Sequence, residues 1–319
     1  MFTTYHQPKV FAVIPVRNRK DKTLRFLEQF IQQKYDNLHI VLVDANSTDG
    51  TQDSIITDYP QVKLIHVDDE CYWTASTNRG VEYALANQAD FILTINDDSY
   101  VGVNYISDLV NLTLKYNTEI LGSRIDYMDN PGLIWSLGAY CKWGTRNILQ
   151  LSYSQLWIDD LPQVVVEKEI TEVQALTGNG VLINKDVFSK IGLYNEIFLP
   201  HYHADSEFIM RAIKNKIAAY ASTKIVVYND FSIDPESLKY ESSFFSKRSH
   251  VFFLPILYIV GVYCPLRKKI KTLLSFFLIP LLLPLKEKTQ IRSRFTRWSK
   301  KLVKKIFSLF TSIYSQRLI

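Results

Sequence analysis

Five apolar or β-branched residues, Phe91-Ile92-Leu93-Thr94-Ile95, run directly into Asn96-Asp97-Asp98. A short apolar run of this kind fits a strand buried on both faces, and the acids that follow mark the edge where the sheet opens into a crevice. Open α/β sheets hold their ligands at that edge. Two neighbouring carboxylates at a strand end repel each other and lose hydration, so the pair calls for a cation or for hydrogen-bond donors. A hard divalent ion carrying substrate phosphates, Mg2+ or Mn2+, meets that need. The competing interpretation is a polar turn in which Asp97 or Asp98 caps the next helix.

The chain leading to this point alternates. Val10–Val16, Ile40–Val43 and Val62–Val67 have the composition of strands. Between them, Leu24, Leu27, Phe30 and Ile31 recur at helical spacing within residues 20–34, and Thr74–Asn87 forms a further helix. Strands alternating with helices imply parallel pairing, hence a doubly wound, mostly parallel sheet with helices on both faces. Asp44, which ends the second strand, then shares the C-terminal edge of the sheet with Asp97 and Asp98. Residues 126–170 show little periodicity. Leu176–Ile183 returns to strand, Ala204–Asn215 is a helix, Ile217–Tyr228 is largely strand, and this body is expected to end near residue 235.

Charge divides the chain in the same way. The net charge is +5, yet residues 240–319 hold 16 basic and two acidic residues, a net of +14, leaving −9 for residues 1–239. An acidic body with a basic extension indicates two jobs. Three distant cysteines, Cys71, Cys141 and Cys264, form neither a disulfide framework nor a metal-ligand spacing. The first nine residues carry no apolar signal core, so a cytoplasmic location is expected.

Five motifs, in order, resemble those of the family 2 glycosyltransferases of GT-A fold. They are Val13-Ile14-Pro15-Val16-Arg17-Asn18-Arg19, Val43-Asp44-Ala45-Asn46-Ser47-Thr48-Asp49-Gly50-Thr51, Asn96-Asp97-Asp98, Thr177-Gly178-Asn179-Gly180 and Ala204-Asp205-Ser206-Glu207-Phe208-Ile209-Met210-Arg211. The resemblance covers about residues 8–230. It implies inverting transfer of a sugar from a nucleotide diphosphate donor to an acceptor hydroxyl, of the kind used in bacterial surface polysaccharide synthesis. It further implies that Pro15 and Asp44 lie by the base and ribose, that Asn96-Asp97-Asp98 stands at the family's Asp-X-Asp with Asp98 as metal ligand, and that Asp205 is the catalytic base. The chain departs from the family pattern at Ala45-Asn46, at Asn96, at Ala204, and at Asn229 and Asp230, where many such enzymes carry a histidine ligand.

Such a transfer requires that the leaving diphosphate be neutralised, that the acceptor hydroxyl lose its proton, and that the two be held in line. A divalent ion on Asp98 serves the first and Asp205 the second. At the start of a helix, Asp205 is also well placed to act as a simple cap. Arg17, Asn78, Arg79, Asn96 and Asp97 are assigned to the donor side, although for Asn78 and Arg79 a plain helix face is the alternative. Gly178, Asn179, Gly180, His203 and Glu207 are assigned to the acceptor or sugar side; there an ordinary tight turn, a loop histidine and a supporting acid are the alternatives. A nucleotidyltransferase, a processive synthase and a non-catalytic sugar-nucleotide binding module are the rival functions. The first usually has a glycine-rich phosphate loop, which Arg17-Asn18-Arg19-Lys20 lacks. The second would carry several membrane spans.

Residues 236–319 are expected to form a helical, membrane-associating extension. The apolar runs Val251–Leu266 and Thr272–Leu285 fall short of the roughly 20 residues that a span needs, and Arg267, Lys268, Lys269 and Lys271 separate them. Ile291, Phe295, Trp298, Leu302, Ile306, Phe310 and Ile313 recur at spacings of three or four among cations, the pattern of a helix lying in an anionic interface. Peripheral attachment to the inner face of the plasma membrane and a lipid-linked glycan acceptor follow as expectations, with no role for nucleic acid.

Overall fold

The computed structural model describes residues 7–232, 246–247, 249 and 252–277. The expected alternation is present: β1 (Val10–Val16), α1 (Lys20–Phe30), β2 (Leu38–Ala45), α2 (Thr51–Asp58), β3 (Lys63–Val67), α3 (Trp73–Ala86) and β4 (Phe91–Thr94). Next come a two-residue strand β5 (Ser99–Tyr100), α4 (Tyr105–Tyr116), β6 (Ile120–Tyr127) and β7 (Asn130–Ser136). A small pair, β8 (Ala139–Cys141) and β9 (Leu149–Leu151), precedes α5 (Gln163–Val166) and β10 (Ile170–Glu172). β11 (Val181–Asn184), α6 (Lys185–Ile191), α7 (Ala204–Lys214) and β12 (Tyr220–Asn229) follow, and the helices Phe253–Tyr263 and Leu266–Phe277 come last.

One sheet runs in the order β10-β12-β6-β11-β4-β1-β2-β3, with β5 beside β12 and β7 beside β6. β4, β1, β2 and β3 are parallel, which brings the ends of β1, β2 and β4 to one edge. Asp44 is in register with Val16 and His66. The other half is mixed, because β11 lies antiparallel between β4 and β6. The long excursion from β7 to β10, rather than a single crossover helix, brings the chain back in the opposite direction. The start of β11, and with it Thr177-Gly178-Asn179-Gly180, therefore meets the end of β4.

Strand alternation divides the core between two layers of helices. Val10, Ala12, Ile14 and Val16 face a cluster with Phe26, Leu27 and Phe30 of α1 and with Ile106 and Leu109 of α4. Each fully buried phenylalanine there contributes about 1.5–3 kcal/mol. On the opposite face α3 presses onto β1 and β2 through Gly80, where a Cβ would stand 2.3 Å from Val13 Cγ1 and 3.1 Å from Val43 Cγ2.

The chain divides into two compact units, Met1–Lys142 with Leu149–Cys264, and Trp143–Ile148 with Pro265–Ile319. The first unit thus extends past the boundary expected at residue 235. Helix Phe253–Tyr263 belongs to it because Pro255, Ile256, Ile259 and Val260 are buried and Tyr258 stacks on Phe198 at 4.8 Å between ring centroids. Within the second unit, helix Leu266–Phe277 carries Arg267, Lys268, Lys269 and Lys271 on its own turns instead of leaving them as a separator. Thr272 anchors this helix, its hydroxyl accepting from the Gly144 backbone N–H at 2.8 Å. Residues 278–319, which include the end of the second apolar run and the amphipathic pattern from Ile291 to Ile313, lie outside the described residues. No helix among the described residues is long and apolar enough to cross a membrane. The three cysteines are free thiols.

Candidate active site

The sheet edge collects the motifs from four loops. After β1 the chain turns sharply at Asn18, whose φ is 50°. The Asn18 N–H donates to Ser47 Oγ and its side-chain oxygen accepts from the Thr48 N–H, both at 2.8 Å, tying the loop after β1 to the loop after β2. Asp44 is fully buried beneath that second loop. Its carboxylate accepts from the Ser47 N–H at 3.0 Å, from the Ser47 hydroxyl and from Gln52 Nε2. Pro15 is half-buried beside it on β1. Arg17 turns to the loop before α3, donating to the Asp69 carbonyl at 2.8 Å.

The aspartate pair has an immediate counter-charge that the sequence did not announce. Arg19 Nη1 lies 3.0 Å from Asp97 Oδ1, and Nη2 lies 2.8 Å from Asp98 Oδ2. One helical turn on, the Thr23 hydroxyl donates to Asp97 Oδ2 at 2.8 Å. Burial pushes the Asp97 carboxyl up to about 6 against the opposing pull of Arg19. Asp98 is less enclosed, and its Oδ1 is buried without accepting a hydrogen bond among the described residues.

Trp73, at the start of α3, joins the two sides of the crevice. Its indole N–H donates to Asn96 Oδ1 at 3.2 Å, and its ring packs on Gly178, where a Cβ would stand 2.5 Å from the ring and 3.2 Å from Asp205 Cβ. The ring edge meets Tyr194 at 5.7 Å. The assigned site residues omit Trp73, although its position one helix before the Asn-Asp-Asp strand was a usable signal.

Asp205 is the second residue of α7, whose capping residue His203 holds a left-handed conformation with φ 70°. Its two oxygens accept from the Ser206 N–H and the Gly178 N–H, each at 2.7 Å. Enclosure by protein raises the Asp205 carboxyl above the ordinary aspartate range, opposed by those two N–H donors and by His203. A carboxylate with raised proton affinity, held by two rigid backbone donors at a crevice, is equipped to take a proton. His201, whose Nδ1 faces the Trp73 N–H at 3.4 Å, is driven down to about 4 by burial and is neutral at physiological pH.

Several residues assigned to donor or acceptor turn elsewhere. Asn78 is buried and clamps the loop before α7, donating to the Tyr194 carbonyl at 2.9 Å and accepting from the Tyr194 N–H at 3.0 Å. Arg79 pairs with Glu82 at 3.2 Å and Glu196 at 3.6 Å. Asn179 stitches three strand ends together: its oxygen accepts from the Asn96 N–H at 3.0 Å and the Ser99 hydroxyl at 2.9 Å, and its amide donates to Asn229 at 2.7 Å. Gly180, with φ 72°, is required by packing, since a Cβ would stand 2.6 Å from Val227 Cγ2. Glu207 is fully buried, bonded to Arg211 at 3.3 Å and to the Tyr263 hydroxyl at 2.5 Å. It lies two positions beyond Asp205 on the helix and so points about 200° away from it.

Among the described residues no three His, Cys, Asp or Glu side chains gather as a metal site. The donor set still fits Mg2+ or Mn2+, which commonly take one or two carboxylates and complete their shell with phosphate oxygens and water. Asp98 Oδ1 and Asp97 Oδ1 are both buried without a hydrogen bond among the described residues, and the more open Asp98 would be the one to offer its oxygen to such an ion. Asn229 cannot contribute freely, being held by Asn179.

Comparison with known proteins identifies the fold and the family. Glycosyltransferase GlyG of Streptococcus pneumoniae serotype 4 is 23% identical over 127 residues, which is 39% of this chain and 41% of GlyG, so the match spans less than half of that relative. The S. aureus TarS 1–349 structure in complex with UDP-GlcNAc superposes with a TM-score of 0.52 at 13% identity, over 86% of this chain and 82% of that one. GalNAc-T7 with UDP, GalNAc and Mn2+ gives a TM-score of 0.57 at 16% identity, over 71% and 44% of the respective chains. These two likenesses show the GT-A fold. The Glycosyl transferase family 2 model matches residues 11–170, half of the chain and all three motifs of the parallel half-sheet, and the chain belongs to that family.

Proposed function

We propose that the protein transfers a sugar from a nucleoside-diphosphate sugar to an acceptor hydroxyl, with inversion at the anomeric carbon. The observation that carries this reading is Asp205, held by two backbone N–H groups at the same crevice as the Asp97–Asp98 pair. In a single displacement the acceptor oxygen bonds to the anomeric carbon as the bond from that carbon to the diphosphate oxygen breaks. The hydroxyl proton passes to Asp205. Trp73 bridges the Asn96 side and the Asp205 side and fixes the width of the gap in which donor and acceptor meet. A divalent ion on Asp98, when bound, neutralises charge on the leaving diphosphate. Membership of a glycosyltransferase family argues against the nucleotidyltransferase alternative.

The choice of UDP-sugars as first donors follows from the UDP and UDP-GlcNAc named with the GalNAc-T7 and TarS structures. Thermal shift across UDP-sugars, with and without Mn2+, should show stabilisation by at least one of them, followed by hydrolysis or transfer with that donor. Binding without any turnover would leave a non-catalytic module. No response to any nucleotide sugar would refute the donor assignment.

We also propose attachment to the cytoplasmic face of the membrane, close to a lipid-linked glycan acceptor. Helix Leu266–Phe277 supports this, with Leu266 83%, Ile270 57% and Leu274 43% exposed along one stripe. Arg267, Lys268 and Lys271 lie beside the stripe, and the helix contains no acid. An exposed apolar row flanked by cations suits an anionic headgroup layer. The full chain should sediment with phosphatidylserine-containing liposomes at low salt and release as salt rises. Retention in the supernatant at low salt would refute attachment.

A further inference from the structure

The cation that the aspartate pair calls for is already supplied by the chain. Arg19 leaves the turn after β1 and bridges Asp97 and Asp98 with separate nitrogens, at 3.0 and 2.8 Å. The neighbouring cations Lys22 and Arg25 are drawn instead to Asp230, at 3.3 and 3.4 Å. Asp97 is 2% exposed, so its charge has little access to water and depends on the guanidinium and on Thr23. Asp98 Oδ2 faces Arg19, while Oδ1 of the same carboxylate is buried and, like Asp97 Oδ1, accepts no hydrogen bond among the described residues. A divalent ion reaching Oδ1 would therefore stand within a few ångströms of a fixed positive charge, in a partly desolvated site where that repulsion is poorly screened.

We propose that Arg19 is a resident counter-cation of the Asp97–Asp98 pair that competes with a divalent metal ion for Asp98. Two functions then reside in one side chain. Without metal, Arg19 keeps two adjacent carboxylates from repelling each other. When an ion arrives, the guanidinium must yield Asp98, so free metal binds weakly. A diphosphate that attracts Arg19 away from the carboxylates would make metal and donor bind cooperatively. The rigid, planar fork of arginine makes this bridging possible, and a lysine in its place would reach one carboxylate at a time.

This rests on the reading of Asp98 as a metal ligand, and the test separates the two claims. Mn2+ alone is titrated into the full chain at about pH 8, where the carboxylates stay ionised, with bound ion followed by water-proton relaxation. Arg19→Gln should bind Mn2+ about tenfold more tightly than the unaltered protein, and Arg19→Lys should fall between them; circular dichroism checks that each variant is folded. Asp98→Ala should lose the site. If Asp98→Ala loses Mn2+ while neither Arg19 variant gains affinity, the competition is refuted and the metal site stands. If Asp98→Ala binds Mn2+ as well as the unaltered protein does, the metal reading fails and the competition with it. Should Arg19→Gln not fold, Arg19→Lys carries the test by itself, and affinity no tighter than that of the unaltered protein overturns the proposal.

Discussion

Asp205→Asn is expected to lower turnover by about 10² to 10⁴, the usual worth of a general base, while leaving UDP affinity unchanged. The substitution retains the shape of the side chain and leaves one oxygen to accept from the Gly178 or Ser206 N–H, so the start of α7 should hold. What it removes is the ability to accept a proton. Donor affinity by titration calorimetry and transfer by product release distinguish lost chemistry from lost binding. A second signature is the pH profile. Burial raises the Asp205 carboxyl, and a base works only when ionised, so rate at limiting substrate should fall as pH drops through a value above the ordinary aspartate range near 3.9. Unchanged turnover in the variant would remove Asp205 from the mechanism.

Glu207→Ala should give the largest loss of stability. Glu207 is fully buried, and its carboxylate holds both Arg211 and the Tyr263 hydroxyl. Truncation leaves a guanidinium without its counter-ion and a half-buried phenol without its acceptor. Breaking one side of a buried ion pair costs about 3–5 kcal/mol, and the lower figure applies here because Arg211 keeps partial contact with water and donates to the Ile191 and Leu193 carbonyls. For a chain of this size that is a fall in melting temperature of about 6–12 °C. Glu207→Gln keeps an acceptor for Tyr263 but also removes the counter-charge of Arg211, so it should destabilise less than Glu207→Ala without being neutral. A melting temperature for Glu207→Ala within about a degree of the parent would contradict this account of the helix Phe253–Tyr263 junction.

Glu207 and Asp205 illustrate how far the sequence could be read. Both are acids in the first turn of a helix, and spacing alone treats them alike. The fold separates them: one faces a crevice lined by Trp73 and Gly178, the other a packed helix whose Tyr263 lies 56 residues downstream. Asn78 and Asn179 are similar cases. Each is a polar residue beside a motif, and each hydrogen-bonds a partner from a distant segment, Tyr194 and Asn96 respectively, which spacing in the sequence does not reveal.

The sequence by itself determined the alternation of strands and helices through β4, the arrival of Asp44 and Asp97–Asp98 at one sheet edge, and the position of Asp205 at the start of α7. Those features follow from apolar periodicity and from the parallel pairing it enforces, both written in short windows. Only the tertiary structure decided that β11 runs antiparallel, that Arg19 spans the aspartate pair, that Trp73 bridges the crevice, and that helix Phe253–Tyr263 belongs to the first unit. Each of these is a meeting of residues far apart in the chain. No local pattern encodes where an arginine fork, an indole or a phenol will point until the sheet has brought its partner within reach.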